Sequence, residues 1–195
     1  MEYFDITPEI SEKLAVWPDT LAFRQDVVMD FKKGHNLVLS DFHTTAHVGA
    51  HVDAPIHYHP KGVGIGERSL DYYLGDCQVV SVSLPKNARI LPADISKFEI
   101  TKKRVLFKTG SFPDPNHFNT DFNSLSAPLI EFLASKGVIL VGIDTPSVDP
   151  FDDKVLESHQ ALFKHDLANL EGVVLKDVPD GEYTLLALQI GRAHV

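Results

Sequence analysis

The sequence predicts a single mixed α/β domain, rich in strands and short of long helices, on three observations. A chain of 195 residues is large enough for one substantial core and short for two. Residues 104–109, then a helix capped by Ser126 and stopped by Gly137, then 138–143 follow one another as strand, amphipathic helix and strand. The last run is continuously apolar, as a strand covered on both faces must be, so the three form a right-handed parallel crossover. Elsewhere short strand-like runs alternate with turns, and no repeat, low-complexity segment or linker divides the chain.

Residues 3–6 read as a short edge strand ended by Pro8. Trp17-Pro-Asp-Thr20 reads as a loop, with Pro18 holding Trp17 extended. Residues 23–31 and 35–45 are partly alternating runs separated by Lys32-Lys33-Gly34, which suggests a hairpin. A strand then runs through the histidines to Pro55, and residues 61–66 form a glycine-rich loop with no strand leading into it, unlike a phosphate cradle. Ser69 caps a short helix over 70–74 that Gly75 would stop. Residues 79–84 form a strand and 92–98 a helical turn or two. In the central helix Leu129, Ile130, Leu133 and Ala134 share one stripe. Residues 149–154 read as a loop and 154–165 as a helix carrying His159. Residues 172–175 and 182–190 read as strands joined by the turn at 179–181.

Composition narrows the function classes. A formal net charge of −9 argues against nucleic acid as a partner, because phosphate binding needs a basic patch. No apolar run approaches the roughly 18–20 residues that span a bilayer, so no membrane partner is expected. The first residues show no basic segment followed by an apolar one, so no secretory signal is visible. The lone Cys77 opens an apolar strand, reads as a small buried hydrophobe, and fits a reducing cytoplasm.

The chemistry concentrates between His43 and His59, where seventeen residues hold five of the ten histidines. In an extended strand His47, His51 and Asp53 would share a face. Two imidazoles and a carboxylate suit zinc or another first-row divalent metal, and a polar edge strand is the competing reading. Pro55 would end the strand and place His57 in a loop beside the cluster. His159 and Glu171 are candidates to complete the set, although a lone helical histidine and a glutamate before glycine are ordinary surface residues. No Gly-x-Ser-x-Gly elbow supports a serine hydrolase, and Cys77 lies in no electropositive cleft.

The run His47-Val-Gly-Ala-His51-Val-Asp53-Ala-Pro55-Ile-His57 resembles the signature His-x-Gly-Thr/Ala-His-x-Asp-x-Pro-x-His of the metal-dependent cyclase/hydrolase family. The resemblance extends through Trp17-Pro, Ser69-Leu-Asp-Tyr-Tyr-Leu-Gly-Asp-Cys77, Gly142-Ile-Asp-Thr-Pro-Ser-Val-Asp149, Glu157-Ser-His159 and Asn169-Leu-Glu-Gly172, and is greatest for the bacterial kynurenine formamidase (arylformamidase) branch. It implies the swivelling β/β/α form of a mixed α/β domain over residues 1–190, and a homodimer. It further implies two divalent ions per subunit, zinc first and manganese as the alternative. His47, His51 and Asp53 would hold the first, with Asp53 and Glu171 bridging to a second held by His159. His57 would be the acid/base, with support of a ligand as its alternative role. Trp17 would line the substrate pocket, or else be a core aromatic. Asp144 and Asp149 are expected to cap or orient the loop near His159, and His43 and His59 to be bystanders. The family continues past the final strand into a Ser-Pro-x-Arg strand that this sequence lacks, so residues 191–195 are expected to be a truncated or foreign tail.

The activity so implied is hydrolysis of N-formyl-L-kynurenine to L-kynurenine and formate in tryptophan degradation. The alternatives are a cyclic-amide hydrolase of the isatin type and an inert metal- or small-molecule-binding relative. A structural zinc domain fits worst, because such sites favour cysteine-rich shells.

Overall fold

Strand alternation sorts the apolar residues onto two faces, and both faces are covered. In the computed structural model, which describes residues 2–188, the chain forms strands β1 (Arg24–Met29), β2 (Leu39–His43), β3 (Leu74–Ser81), β4 (Arg89–Ile90), β5 (Arg104–Lys108), β6 (Ser124–Leu125), β7 (Leu140–Ile143), β8 (Ala168–Leu170) and β9 (Gly181–Leu186). Its α-helices are α1 (Pro55–Tyr58), α2 (Ala127–Ser135) and α3 (Glu157–His165). The main sheet runs β8-β7-β5-β3-β9, parallel except for the antiparallel edge strand β9. On β5, Val105 and Phe107 join Leu129, Ile130 and Leu133 of α2 in one core, while Leu106 joins Leu140, Leu170 and Val173 in the other. This double coverage is why 138–143 is continuously apolar. The mixed α/β class and the parallel strand–helix–strand unit are as the sequence predicts.

Ser126 shows how closely sequence dictates structure here. Its hydroxyl accepts from Leu129 N, as an N-cap should, and donates to the Ile90 carbonyl, tying α2 to β4. Ser126→Ala is expected to cost about 1–2 kcal/mol, read as a lower urea midpoint at unchanged m.

Several expectations need correction. Residues 3–6 form no strand, although the Ile6 carbonyl accepts from Val174 N. Residues 172–175 form none either: the parallel strand lies earlier, at β8, because Gly172 takes a left-handed φ of 68° that breaks extension. β9 therefore pairs with β3 rather than with 172–175. The hairpin does form, as β1 and β2, with Asp30 capping a 3-10 turn ahead of Gly34. Ser69 caps a single 3-10 turn, Leu70–Tyr72, and Gly75 lies inside β3 instead of stopping a helix. Cys77 is buried in β3, and burial pushes its thiol up to about 11. The tail at 191–195 lies outside the described residues, as does the end of the 182–190 run. No helix among the described residues is long and apolar enough to cross a membrane.

Candidate metal centre

Where the parallel strands end, backbone geometry brings distant carboxylates and imidazoles together. The strand expected through His47, His51 and Asp53 does not form: residues 44–50 bend, and only His51 makes a bridge. His51 N donates to the Glu171 carbonyl at 3.0 Å, and Glu171 N donates back to His51 at 2.8 Å. This antiparallel bridge docks the histidine segment on the end of β8. Gly172 makes the docking possible, since a Cβ there would lie 2.4 Å from the Gly49 carbonyl oxygen. That same carbonyl accepts from His51 Nδ1 at 3.0 Å, which leaves the Nε2 lone pair facing the centre.

Two ligand groups result, with Asp53 common to both: His47, His51 and Asp53, and Asp53, His159 and Glu171. His47 Nδ1 lies 3.0 Å from Asp53 Oδ1, and His51 Nε2 lies 3.6 Å from Asp53 Oδ1 and 3.5 Å from Glu171 Oε2. His159 Nε2 lies 3.3 Å from Asp53 Oδ2 and 3.5 Å from Glu171 Oε1. Asp53, His159 and Glu171 are buried, and His47 is open at the rim. All five residues proposed as ligands from the sequence are thus brought together.

The donors fit divalent cations on an observation independent of family. His51 Nε2 and Asp53 Oδ1 are buried and form no hydrogen bond, although each faces other acceptors. Electrostatics agree. Burial drives the His159 imidazole toward neutrality, but the carboxylates of Asp149, Asp53 and Glu171 overcome it and hold the pKa well above the ordinary value. Burial likewise opposes ionisation of Asp53, yet His159 and His47 keep it well below the usual carboxylate range. The His159 shift has its cause in the negative charge gathered in the cage, which a bound cation would neutralise.

Around the ligands, supporting groups fix their orientation. Asp149 is buried, accepts a hydrogen bond from His159 Nδ1 at 2.7 Å, and accepts from Ser158 N and His159 N at the start of α3. It therefore caps the helix and aims His159 Nε2 at the centre at once. Arg89 holds Asp149 from the other side at 3.0 Å. Asp144 behaves otherwise: it binds Thr109 and Gly110, away from His159. Asn169 was given no role by sequence reasoning, yet its Nδ2 donates to Asp53 Oδ2 at 2.7 Å and Glu171 Oε1 at 3.1 Å. The available signal was parity, since Asn169 and Glu171 sit two residues apart at the end of a strand. No sequence signal marks Arg89.

His57 lies on α1 rather than in a loop, because Pro55 occupies the first helical position, where its missing N–H costs nothing. Its ring is 4.2 Å from that of His47 and 6.3 Å from that of His159, and burial on its inner side lowers its pKa. Trp17 makes no contact with the ligands. It packs on Phe118 and Phe151 and borders a cavity of about 860 Å³ that also reaches His47, His57 and His159. Trp17 is thus one face of an aromatic cluster in the wall of that cavity. His43 pairs with Asp26 on the hairpin and His59 stacks on Phe163, both away from the centre.

The Cyclase family model matches residues 4–150. The chain is similar to a structure described as a potential metal-dependent hydrolase with cyclase activity, at TM-score 0.81 and 24% identity over 97% of this chain and 92% of that one. It is similar to a predicted metal-dependent hydrolase from Bacillus stearothermophilus, at TM-score 0.76 and 26% identity over 92% and 86% of the two chains. It shares its fold with isatin hydrolase A from Labrenzia aggregata, at TM-score 0.78 and 17% identity over 97% and 89%. The family match over three quarters of the sequence agrees with the paired ligand groups and the mixed sheet, and this chain belongs to the metal-dependent cyclase/hydrolase family.

Proposed function

We propose that this chain is a binuclear-metal amidohydrolase that converts N-formyl-L-kynurenine to L-kynurenine and formate. The observation that carries the reading is the pair of ligand groups sharing Asp53 beside a cavity walled by Trp17 and Phe118. Two divalent ions, zinc or alternatively manganese, would supply Lewis acidity and a water ionised near neutral pH. The protein's own contribution is orientation and proton transfer. His57 stands at the open side of the centre, and its lowered pKa leaves the ring neutral at pH 7. It can take a proton as water adds to the formyl carbon and deliver it to the aniline nitrogen as the C–N bond breaks. The aromatic wall suits a flat aryl group, and a formyl group is small enough for a narrow centre.

His57→Ala is expected to lower turnover of N-formylkynurenine by about 10²–10⁴-fold while elemental analysis finds the metal retained. Near-wild-type turnover would remove His57 from the mechanism. A ring-amide substrate of the isatin type is the second reading, supported by the fold shared with isatin hydrolases. Turnover of N-formylkynurenine and isatin measured side by side separates the two.

The same reading includes a homodimer in the cytoplasm. Val28, Phe31, Val38 and Phe42 are exposed on or beside the β1–β2 hairpin, a two-stranded unit that is marginal when left alone. Light scattering tests the dimer.

A further inference from the structure

The cavity at the metal centre continues past it. It crosses the C-terminal ends of β8, β7, β5 and β3, the edge where open parallel sheets bind ligands, and its wall carries both acidic and basic side chains. Glu171 and the histidines line it, and so do Lys97, Lys108 and Lys176. Lys108 is the last residue of β5, two strands from β8, a lateral separation of about 10 Å.

The Lys108 side chain is half-buried, and its ammonium donates to the Val178 carbonyl at 2.5 Å. That uses one of three N–H donors. No ion pair engages Lys97 or Lys108 among the described residues, where the paired lysines are Lys86, Lys102, Lys164 and Lys176. The carboxylates bordering the cavity are occupied elsewhere: Asp144 by Thr109 and Gly110, and Glu171 by Val148 N and Asn169. In a protein of net charge −9, a half-buried ammonium in a cavity wall with no acidic partner is available to a ligand's anion.

We infer that Lys108, with Lys97 adding positive potential, binds a carboxylate on the substrate while the scissile amide lies at the metal centre. The inference rests on the amidohydrolase reading and narrows it to aryl amides whose side chain bears a carboxylate, as opposed to ring amides that bear none. Anchoring the far end of such a substrate orients the reacting end.

The test compares N-formylkynurenine, which carries the carboxylate, with formanilide, a neutral aryl formamide. Lys108→Met is expected to raise KM for N-formylkynurenine about tenfold or more, leave formanilide kinetics and metal content unchanged, and be largely rescued in Lys108→Arg. Equal effects on both substrates would overturn the inference, because a lysine that only ties down the segment around Val178 cannot distinguish them. No effect on either would overturn it as well. Calorimetry with kynurenine adds a readout independent of turnover, with wild-type protein binding it and Lys108→Met binding at least tenfold more weakly. Equal binding refutes the anion site. If wild type hydrolyses neither formamide yet binds kynurenine through Lys108, the amidohydrolase reading fails and the anion site stands.

Discussion

Asp53→Asn is expected to abolish metal binding in both ligand groups and reduce turnover by more than about 10³-fold, beyond the 10–100-fold loss typical of a residue that only supports a ligand. The reason is geometric. Asp53 Oδ1 faces His47 and His51 while Oδ2 faces His159, so one carboxylate serves two groups. An asparagine fills the same volume but offers a single neutral acceptor oxygen, and its amide nitrogen would point donors at one set of imidazole lone pairs. Thermal unfolding separates loss of metal from loss of fold. Wild-type protein should gain stability on titration with zinc or manganese, by about 2.7 kcal/mol at a hundredfold excess over Kd. Asp53→Asn should show no such dependence. A variant that still gains stability with metal would show that Asp53 is not the shared ligand.

Asp149→Asn is expected to weaken metal binding about 10–100-fold and to destabilise the metal-free protein by about 2–4 kcal/mol. Asp149 takes hydrogen bonds from Ser158 N, His159 N and His159 Nδ1 and an ion pair from Arg89, all with no solvent contact of its own. Asparagine can keep some of these but leaves the Arg89 guanidinium without this partner, and its amide can donate to Nδ1. That would place the His159 proton on Nε2, the atom that faces Asp53 and Glu171. The pH dependence has a definite sign. Burial raises the Asp149 pKa, but bonds from His159 and Ser158 outweigh it and hold the carboxyl below the ordinary range. A folded-state pKa below the unfolded value means that the unfolded chain binds the proton more readily. The stabilisation is therefore complete above the unfolded value of about 3.9 and is lost as pH falls toward the folded one. Urea denaturation of the metal-free proteins at a series of pH values on the acid side should show the wild-type advantage over Asp149→Asn shrinking as pH falls below about 4. An advantage independent of pH would assign the effect to packing instead of charge.

The sequence by itself determined the mixed α/β class, because the double-sided burial of β7 and the Ser126-to-Gly137 helix are local patterns that tertiary packing did not overrule. It also nominated, with the family resemblance, the five candidate ligands that the structure brings together. Imidazoles and a carboxylate clustered in one motif are chemically conspicuous, whereas His159 and Glu171, ordinary in isolation, are marked only by the family resemblance. What it misjudged was how they converge. Strand parity selected His47, His51 and Asp53, but the tertiary structure aligns them through bends and a single bridge to Glu171, allowed by the left-handed Gly172. That contact depends on two backbones meeting more than a hundred residues apart, and neither local pattern contains it. The same holds for Asn169 and Arg89, ordinary polar residues in sequence that gain their roles from what they face. Lys108 is the plainest case. It closes a half-apolar strand like many lysines, and only a cavity running over four strand ends brings it into one wall with the metal centre. Side-chain chemistry is written residue by residue, whereas the distances that turn it into a site are fixed only when the sheet assembles.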